Sequence, residues 1–419
     1  MQRYDTYKDS GVKWLGEIPN HWEVVKSKYL WKESFSISEN GNEELLSVSQ
    51  YDGITPAKGD SRSESLKGYK IVSENDLVIN IMLAWMGGLG VSKYDGIVSP
   101  AYCVYKLTKD SNPKYLHYLY KTPLYLAEFA RHSTGVIRSR WRMYTDDFGQ
   151  VVSLLPPRKE QDAIVEHLDE KMAKIDAAIA QQHKMIDLLN ERKQIIINRA
   201  VTKGLNPNAK MKDSGVEWIG EVPEHWEMMP LKRISTSTKI LVNPQSYKGK
   251  MLYEYSMLSF DNMKAPELVS GESLESSKIA LYGPTLLVNK LNVHKKRIWY
   301  VESPYENSVA STEFIPFKIY NSNPHYIEYY LLSDQVTDYL KNNTFGATNS
   351  QRRVDPEIVC SLIMTIPPVQ EQQRIVDYLD RLTDSMAVLL KVYNKNISLL
   401  QERKQIIINE VVTGKVKVV

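Results

Sequence analysis

Arginine and lysine gather in places where no carboxylate stands between them. The stretch from Arg131 to Arg142 carries Arg131, Arg138, Arg140 and Arg142 and no acidic residue. A second group holds Lys290, His294, Lys295, Lys296 and Arg297, followed downstream by Asn349, Gln351, Arg352 and Arg353. Such sets suit a groove lined by phosphates. Arg, Asn and Gln can also fork onto base edges, whereas Lys mainly positions a strand. A solvated basic face is the other reading of the same residues. What favours a nucleic-acid site is recurrence, because the run from Gly135 to Arg142 and the run from Gly346 to Arg353 lie 211 residues apart, 346 − 135 = 211.

Other chemistries lack their residues. No Gly-x-x-x-x-Gly-Lys-Ser/Thr loop for phosphates occurs, the nearest sequence being Gly249-Lys250-Met251. The cysteines, Cys103 and Cys360, are isolated and the histidines scattered, without the spacing of metal ligands. His21 and His225 repeat, yet each sits in a Pro-x-His-Trp turn and reads as structural, as do the anchors Trp22 and Trp226. A nuclease built on carboxylates of the variable regions stays open as an alternative.

At 419 residues the chain calls for two or three domains. A content of 42% apolar and 25% charged residues is that of a globular protein, and no apolar run reaches the roughly 18 to 20 residues of a membrane span. The opening from Met1 to Asp5 has no apolar signal segment, so with two lone cysteines the expected compartment is the reducing cytoplasm. A formal charge of +3 neither demands nor excludes a polyanion.

The elements that position these clusters come from a duplication. The segment Lys8 to Glu23 recurs as Lys212 to Glu227, offset 212 − 8 = 204, and Leu188 to Asn198 recurs as Leu399 to Asn409, offset 399 − 188 = 211. Asn112-Pro113 with Asn323-Pro324, and Pro156-Pro157 with Pro367-Pro368, repeat at 211 as well. Between these anchors, over roughly 26–153 and 229–364, the copies have drifted apart. Two copies of one frame with two private inserts suit a reader of two different targets; neutral drift of a duplicated domain is the plain alternative.

The frame is helical. Ile164, Leu168, Met172, Ile175, Ile179, Ile186, Leu189 and Ile196 fall at spacings of three, four or seven, and Ile375, Leu379, Met386, Leu390, Tyr393, Ile397, Leu400 and Ile407 do the same. Proline opens each helix; Gly204 with Pro207, and Gly414, close them. About 40 to 45 residues make a helix of roughly 60 to 70 Å, with an apolar stripe that needs a partner. The economical solution packs the two helices antiparallel about a pseudo-two-fold axis, with an insert towards each end. Their charges nearly cancel, which suits water or protein neighbours. The triplets Glu191-Arg192-Lys193 and Glu402-Arg403-Lys404 are the expected docking residues for partners, a plain structural coiled coil being the alternative.

Within the inserts, short strand-like runs such as 76–80, 101–105, 286–289 and 314–318 precede a more helical stretch, from Pro113 to about His132 and from Pro324 to about Asn342. The fold class is therefore α+β: two mixed α/β domains separated by two long antiparallel coiled-coil helices.

The Trp-(Leu/Ile)-Gly-Glu-(Ile/Val)-Pro-x-His-Trp opening, the Pro-Pro-x-x-Glu-Gln entries at Pro156 to Gln161 and Pro367 to Gln372, and the Glu-Arg-Lys-Gln close resemble the specificity subunits of type I restriction-modification enzymes. The resemblance covers both halves. It implies target-recognition domains at 1–157 and 207–368, a conserved central helix at 158–206 and a conserved C-terminal helix at 369–419. It further implies that the chain reads a bipartite, asymmetric site in double-stranded DNA. Two modification subunits would bind S-adenosylmethionine and methylate adenine, and two restriction subunits using ATP and Mg would join in some complexes. No catalysis is expected of this chain: the Asn-Pro sites at Asn112, Asn206, Asn243 and Asn323 all lack the second proline of an amino-methyltransferase motif. An assembly protein whose inserts bind only proteins is the rival from another class.

Overall fold

The structure, a computed structural model, describes residues 2–50, 53–57, 65–137, 140–346, 348 and 351–418. It divides into two units, one made of Met1–Gln182 with Asn394–Val419 and the other of His183–Tyr393. Both division points fall inside long helices.

The first unit is built around a four-stranded antiparallel sheet of β1 (Trp31–Ser34), β2 (Leu77–Asn80), β3 (Leu89–Val91) and β4 (Tyr102–Leu107), in the order β1-β4-β2-β3. Every residue of β2 is buried, because the sheet is covered on both faces. Leu77 and Ile79 join the main core with the helices α1 (Pro113–Tyr120) and α2 (Pro123–Arg131), whereas Val78 and Val104 face a smaller cluster around Leu46, Val48 and Val98. A strand buried on two sides reads as a continuous aliphatic run, as Leu77-Val78-Ile79 does. The helical stretch expected from Pro113 to about His132 is two helices. Pro123 holds Thr122 in an extended conformation, φ −72° and ψ 149°, and that threonine caps the second helix.

The second unit repeats the arrangement with β5 (Ser235–Thr236), β6 (Thr285–Asn289), β7 (Ile298–Val301) and β8 (Phe314–Ile319), in the order β5-β8-β6-β7. Leu286 and Val288 face the helical core and Leu287 the opposite cluster. Its own addition is a five-stranded sheet through Met251–Tyr255 and Ser308–Ser311, with a helix α4 (Met257–Met263). The helices α5 (Pro324–Leu331) and α6 (Asp334–Asn342) match α1 and α2, here broken at the capping residue Ser333.

The frame helices are α3 (Arg158–Lys203), of 46 residues, and α7 (Val369–Val412), of 44. In the first unit Ile164, Leu168, Met172 and Ile175 of α3 share a core with Ile407, Ile408, Val411 and Val412 of α7. In the second, Ile197, Ala200 and Val201 share one with Ile375, Val376 and Leu379. The start of each helix meets the end of the other, so they run antiparallel. Each ends in a left-handed glycine, Gly204 at φ +71° and Gly414 at φ +75°, where a Cβ would meet Trp226 at 3.1 Å or Pro19 at 2.4 Å.

The repeated motifs join frame to insert. Gln161 is buried, accepts from the Asn112 N–H at 2.8 Å and donates to the Pro156 carbonyl at 2.8 Å; Gln372 does the same with Asn323 at 2.7 Å and Pro367 at 2.8 Å. Asn112 and Asn323, lacking the second proline, are helix caps: each accepts from the N–H groups of the first turn. Glu160 accepts from Tyr4 at 2.6 Å and Trp22 at 3.1 Å and pairs with His21 at 2.8 Å, and Glu371 pairs with His225 at 2.8 Å.

Candidate nucleic-acid interface

Each unit presents a tip made of two loops held edge to edge. In the second unit the first loop is the turn between β6 and β7. Asn289 stands at its base, where its N–H donates to the Arg297 carbonyl at 3.1 Å and its Oδ1 accepts from the Leu291 N–H at 3.0 Å. Asn292 and Lys296, at φ 55° and 48°, bend the chain through a short 3-10 turn, Val293–Lys295. The second loop is a hairpin in which Thr344 and Phe345 pair with Val354 and Arg353. Backbone bonds join the loops: Val354 N–H to Lys290 O at 3.0 Å, and Asn292 N–H to Arg352 O at 2.8 Å.

The first unit uses three of the same bonds. Asn80 N–H donates to Gly88 O at 2.9 Å, Asn80 Oδ1 accepts from Met82 N–H at 3.1 Å, and Met143 N–H donates to Ile81 O at 3.0 Å. Thr134 bridges to Arg142, the counterpart of Phe345 with Arg353 at an offset of 211. Gly135 and Gly346 are required by close approach, since a Cβ would lie 2.5 Å from the Arg140 or Gln351 carbonyl oxygen.

Although the backbone is common, the side chains differ. In the second unit His294, Lys295, Gln351 and Arg352 are exposed. The other cations there are spent internally. Arg297, 7% exposed, forks onto Asp261 at 2.8 and 2.6 Å, and its hydrogen bonds hold that carboxyl below the ordinary range. Arg353 forks onto Glu313 at 3.1 and 3.1 Å. Lys296 donates to Gln194 at 2.8 Å, Leu332 O at 2.8 Å and Asp334 at 2.5 Å, and Lys290 donates to Thr312 O at 3.1 Å.

The first unit's tip mixes charge with apolar surface. Arg140 is exposed and Arg142 half-buried, with Val136 97% exposed and Ile137 beside them. Trp141 lies edge-on to Trp85 of the neighbouring loop at 5.5 Å. Arg131 is held away, forked onto the buried Glu128 at 2.8 and 2.6 Å. Burial pushes the Glu128 carboxyl up, but Arg131 and His132 outweigh it and keep it below its ordinary value. Arg138 and Asn349, both expected in the basic sets, lie outside the described residues.

A family model described as the type I restriction modification DNA specificity domain matches residues 223–397, the second copy of the frame and insert. The MjaVIII specificity subunit of a type I restriction enzyme from Methanocaldococcus jannaschii is 23% identical over 98% of this chain and 97% of its own length. By both comparisons the chain is similar to the specificity subunits of type I restriction enzymes. A second specificity subunit from that organism, MjaX, is 21% identical over 98% of both chains. A solved structure from work on complex assembly and conformational transition of the type I R-M system has a TM-score of 0.69 at 14% identity. It covers 94% of this chain and 98% of that one, a likeness of fold.

The frame triplets divide by direction. Glu191, Arg192, Glu402 and Arg403 are exposed, while Lys193 and Lys404 turn inward, the latter onto Asp176 at 2.6 Å. Sequence reasoning missed the paired asparagines Asn80 and Asn289, each 3% exposed, although each ends an aliphatic run at a comparable place, 289 − 80 = 209. It also missed the carboxylates Asp261 and Glu313, which no local pattern marks. Among the described residues no group of three His, Cys, Asp or Glu side chains is placed to hold a metal ion, and no helix is long and apolar enough to cross a membrane.

Proposed function

We propose that this chain is a type I specificity subunit and that it reads an asymmetric, bipartite sequence in double-stranded DNA, one half-site by the tip of each unit. The observation that carries the reading is the twofold use of one loop scaffold, anchored on Asn80 and Asn289, with different side chains on each copy. A tip of Arg140, Arg142 and exposed aliphatic groups can contact phosphates and thymine methyls, and one of His294, Lys295, Gln351 and Arg352 favours phosphates and purine edges. A two-stranded ribbon such as the Thr344–Phe345 and Arg353–Val354 pairing suits a major groove. Arg138 and Asn349, from the same basic sets of the sequence, are also proposed as DNA contacts, and the recognition domains would be 1–157 and 207–368.

The exposed Glu191, Arg192, Glu402 and Arg403, with Val388, Leu389 and Val392 nearby on α7, support the reading of the frame as the seat of two modification subunits. S-adenosylmethionine, and ATP with Mg where restriction subunits join, would be bound on those partners. The frame would set the distance between half-sites. The test is a methylation map of the host genome: deleting this chain should erase a two-part adenine-methylated motif, and a map left intact would end the proposal.

A further inference from the structure

In the second unit a cleft of about 570 Å³ opens beside α3, lined by Lys193, Lys264, Lys295 and Lys296, by the aromatic Phe260 and Trp299, and by the carboxylates Glu328 and Asp380. Lys296 is neutralised by Asp334. Among the described residues no carboxylate is in ion-pair distance of Lys193, Lys264 or Lys295. Burial, with the charges of Lys264 and Lys296, holds the Lys193 ammonium below its ordinary value. Cations set this close cost free energy, and an anion among them recovers it.

The duplication shows how this lysine came to be unpaired. In the first unit its counterpart Lys404 is paired with Asp176. The residue that corresponds to Asp176 in the second copy is Ala387, 176 + 211 = 387, which has no charge to offer. The matching cleft of the first unit, about 490 Å³, keeps the same Tyr–Asp contact, Tyr118 to Asp169 at 2.7 Å against Tyr329 to Asp380 at 2.6 Å. Of its two lysines, Lys93 and Lys114, the second is bonded to Asp169 at 2.5 Å. Three lysines without an ion pair in one cleft, among the described residues, are thus a feature of the second copy.

We propose that this cleft binds a nucleotide, with its phosphate among Lys193, Lys264 and Lys295 and its flat ring against Phe260 and Trp299. Phe260 and Trp299 lie edge-on at 5.4 Å, with the Lys264 ammonium 5.8 Å from the Phe260 ring centre, which sets a cation beside the aromatic wall, and the volume lies in the range of small-ligand sites. A free nucleotide and a nucleotide within a DNA strand offer the same chemistry. Only the second source rests on the DNA-reading function proposed above.

The experiment uses the full chain, titrated calorimetrically with adenosine diphosphate and with inorganic pyrophosphate, and by fluorescence anisotropy with a labelled duplex. Lys193→Gln and Lys264→Gln are compared with Lys184→Gln, an exposed lysine elsewhere on α3. For a free nucleotide, adenosine diphosphate binds more tightly than pyrophosphate, and each cleft variant weakens it about tenfold while Lys184→Gln does not. For a strand of DNA, adenosine diphosphate gives no binding, and the cleft variants lower the salt slope of duplex binding by about one. Equal behaviour of wild type and cleft variants towards all three ligands overturns the proposal. Should the wild type bind no duplex, the adenosine diphosphate titration still decides the cleft, so the two readings fail separately.

Discussion

Two adjacent arginines should behave differently on DNA. Arg352 is exposed and, among the described residues, its side chain makes a single hydrogen bond, of 3.4 Å to the Thr344 carbonyl, whereas Arg353 has both forks on Glu313 at 3.1 Å. Replacing Arg352 with Ala removes a cation available to the duplex. If it meets a phosphate, the slope of log K against log salt falls by about 0.9. If it forks onto a guanine, about 1 to 3 kcal/mol is lost, roughly 5- to 150-fold in affinity, and discrimination at that base relaxes. Arg353→Ala removes a charge already compensated. The pair is 39% and 21% exposed, so its loss costs about 1 kcal/mol of stability or less. Its effect on DNA affinity should stay under about threefold. Glu313→Gln, which releases Arg353, should strengthen binding slightly at low salt. The assay is fluorescence anisotropy on the mapped target duplex over a salt series, with thermal melts of each variant. Equal losses of affinity for Arg352→Ala and Arg353→Ala, with both melting as the wild type does, would refute the division into free and spent cations.

Gln372→Ala should destabilise the second unit by about 3 kcal/mol, because it strips a buried partner from the Asn323 N–H, the Ser322 hydroxyl and the Pro367 carbonyl; urea unfolding measures it, and a loss well under 1 kcal/mol would contradict the clip. His117 is pushed down to about 4 by burial first and by Lys121, Lys93 and Lys114 next. Its folded value lies below its unfolded one, so the unfolded chain takes up the extra proton. Stability from this group is then full above about pH 6.5 and falls by about 3 kcal/mol as pH drops towards 4. His117→Gln should flatten urea midpoints over that window, and an unchanged pH slope would count against it. Inserting a few residues between Asn206 and Pro207, both exposed, should lengthen the spacer of the methylated motif; an unchanged spacer on the methylation map would refute the frame as ruler.

The sequence alone determined the features governed by neighbours along the chain. The duplication showed as whole segments repeated at a nearly constant offset. The long helices with their proline starts and glycine stops depend on residues within a turn or two of each other, and periodicity reports them. The basic clusters were visible for the same reason. Tertiary structure alone decided which of those cations remain available, because their partners are distant: Asp261 is 36 residues from Arg297, and Glu313 is 40 from Arg353. The common tip was hidden likewise, since its bonds join Asn292 to Arg352 across 60 residues and run through backbone groups that any side chain leaves in place. A strand pairing preserved in the backbone tolerates almost free exchange of the residues that point away from the core, so two inserts could lose their likeness in sequence while keeping one sheet order and one pair of loops.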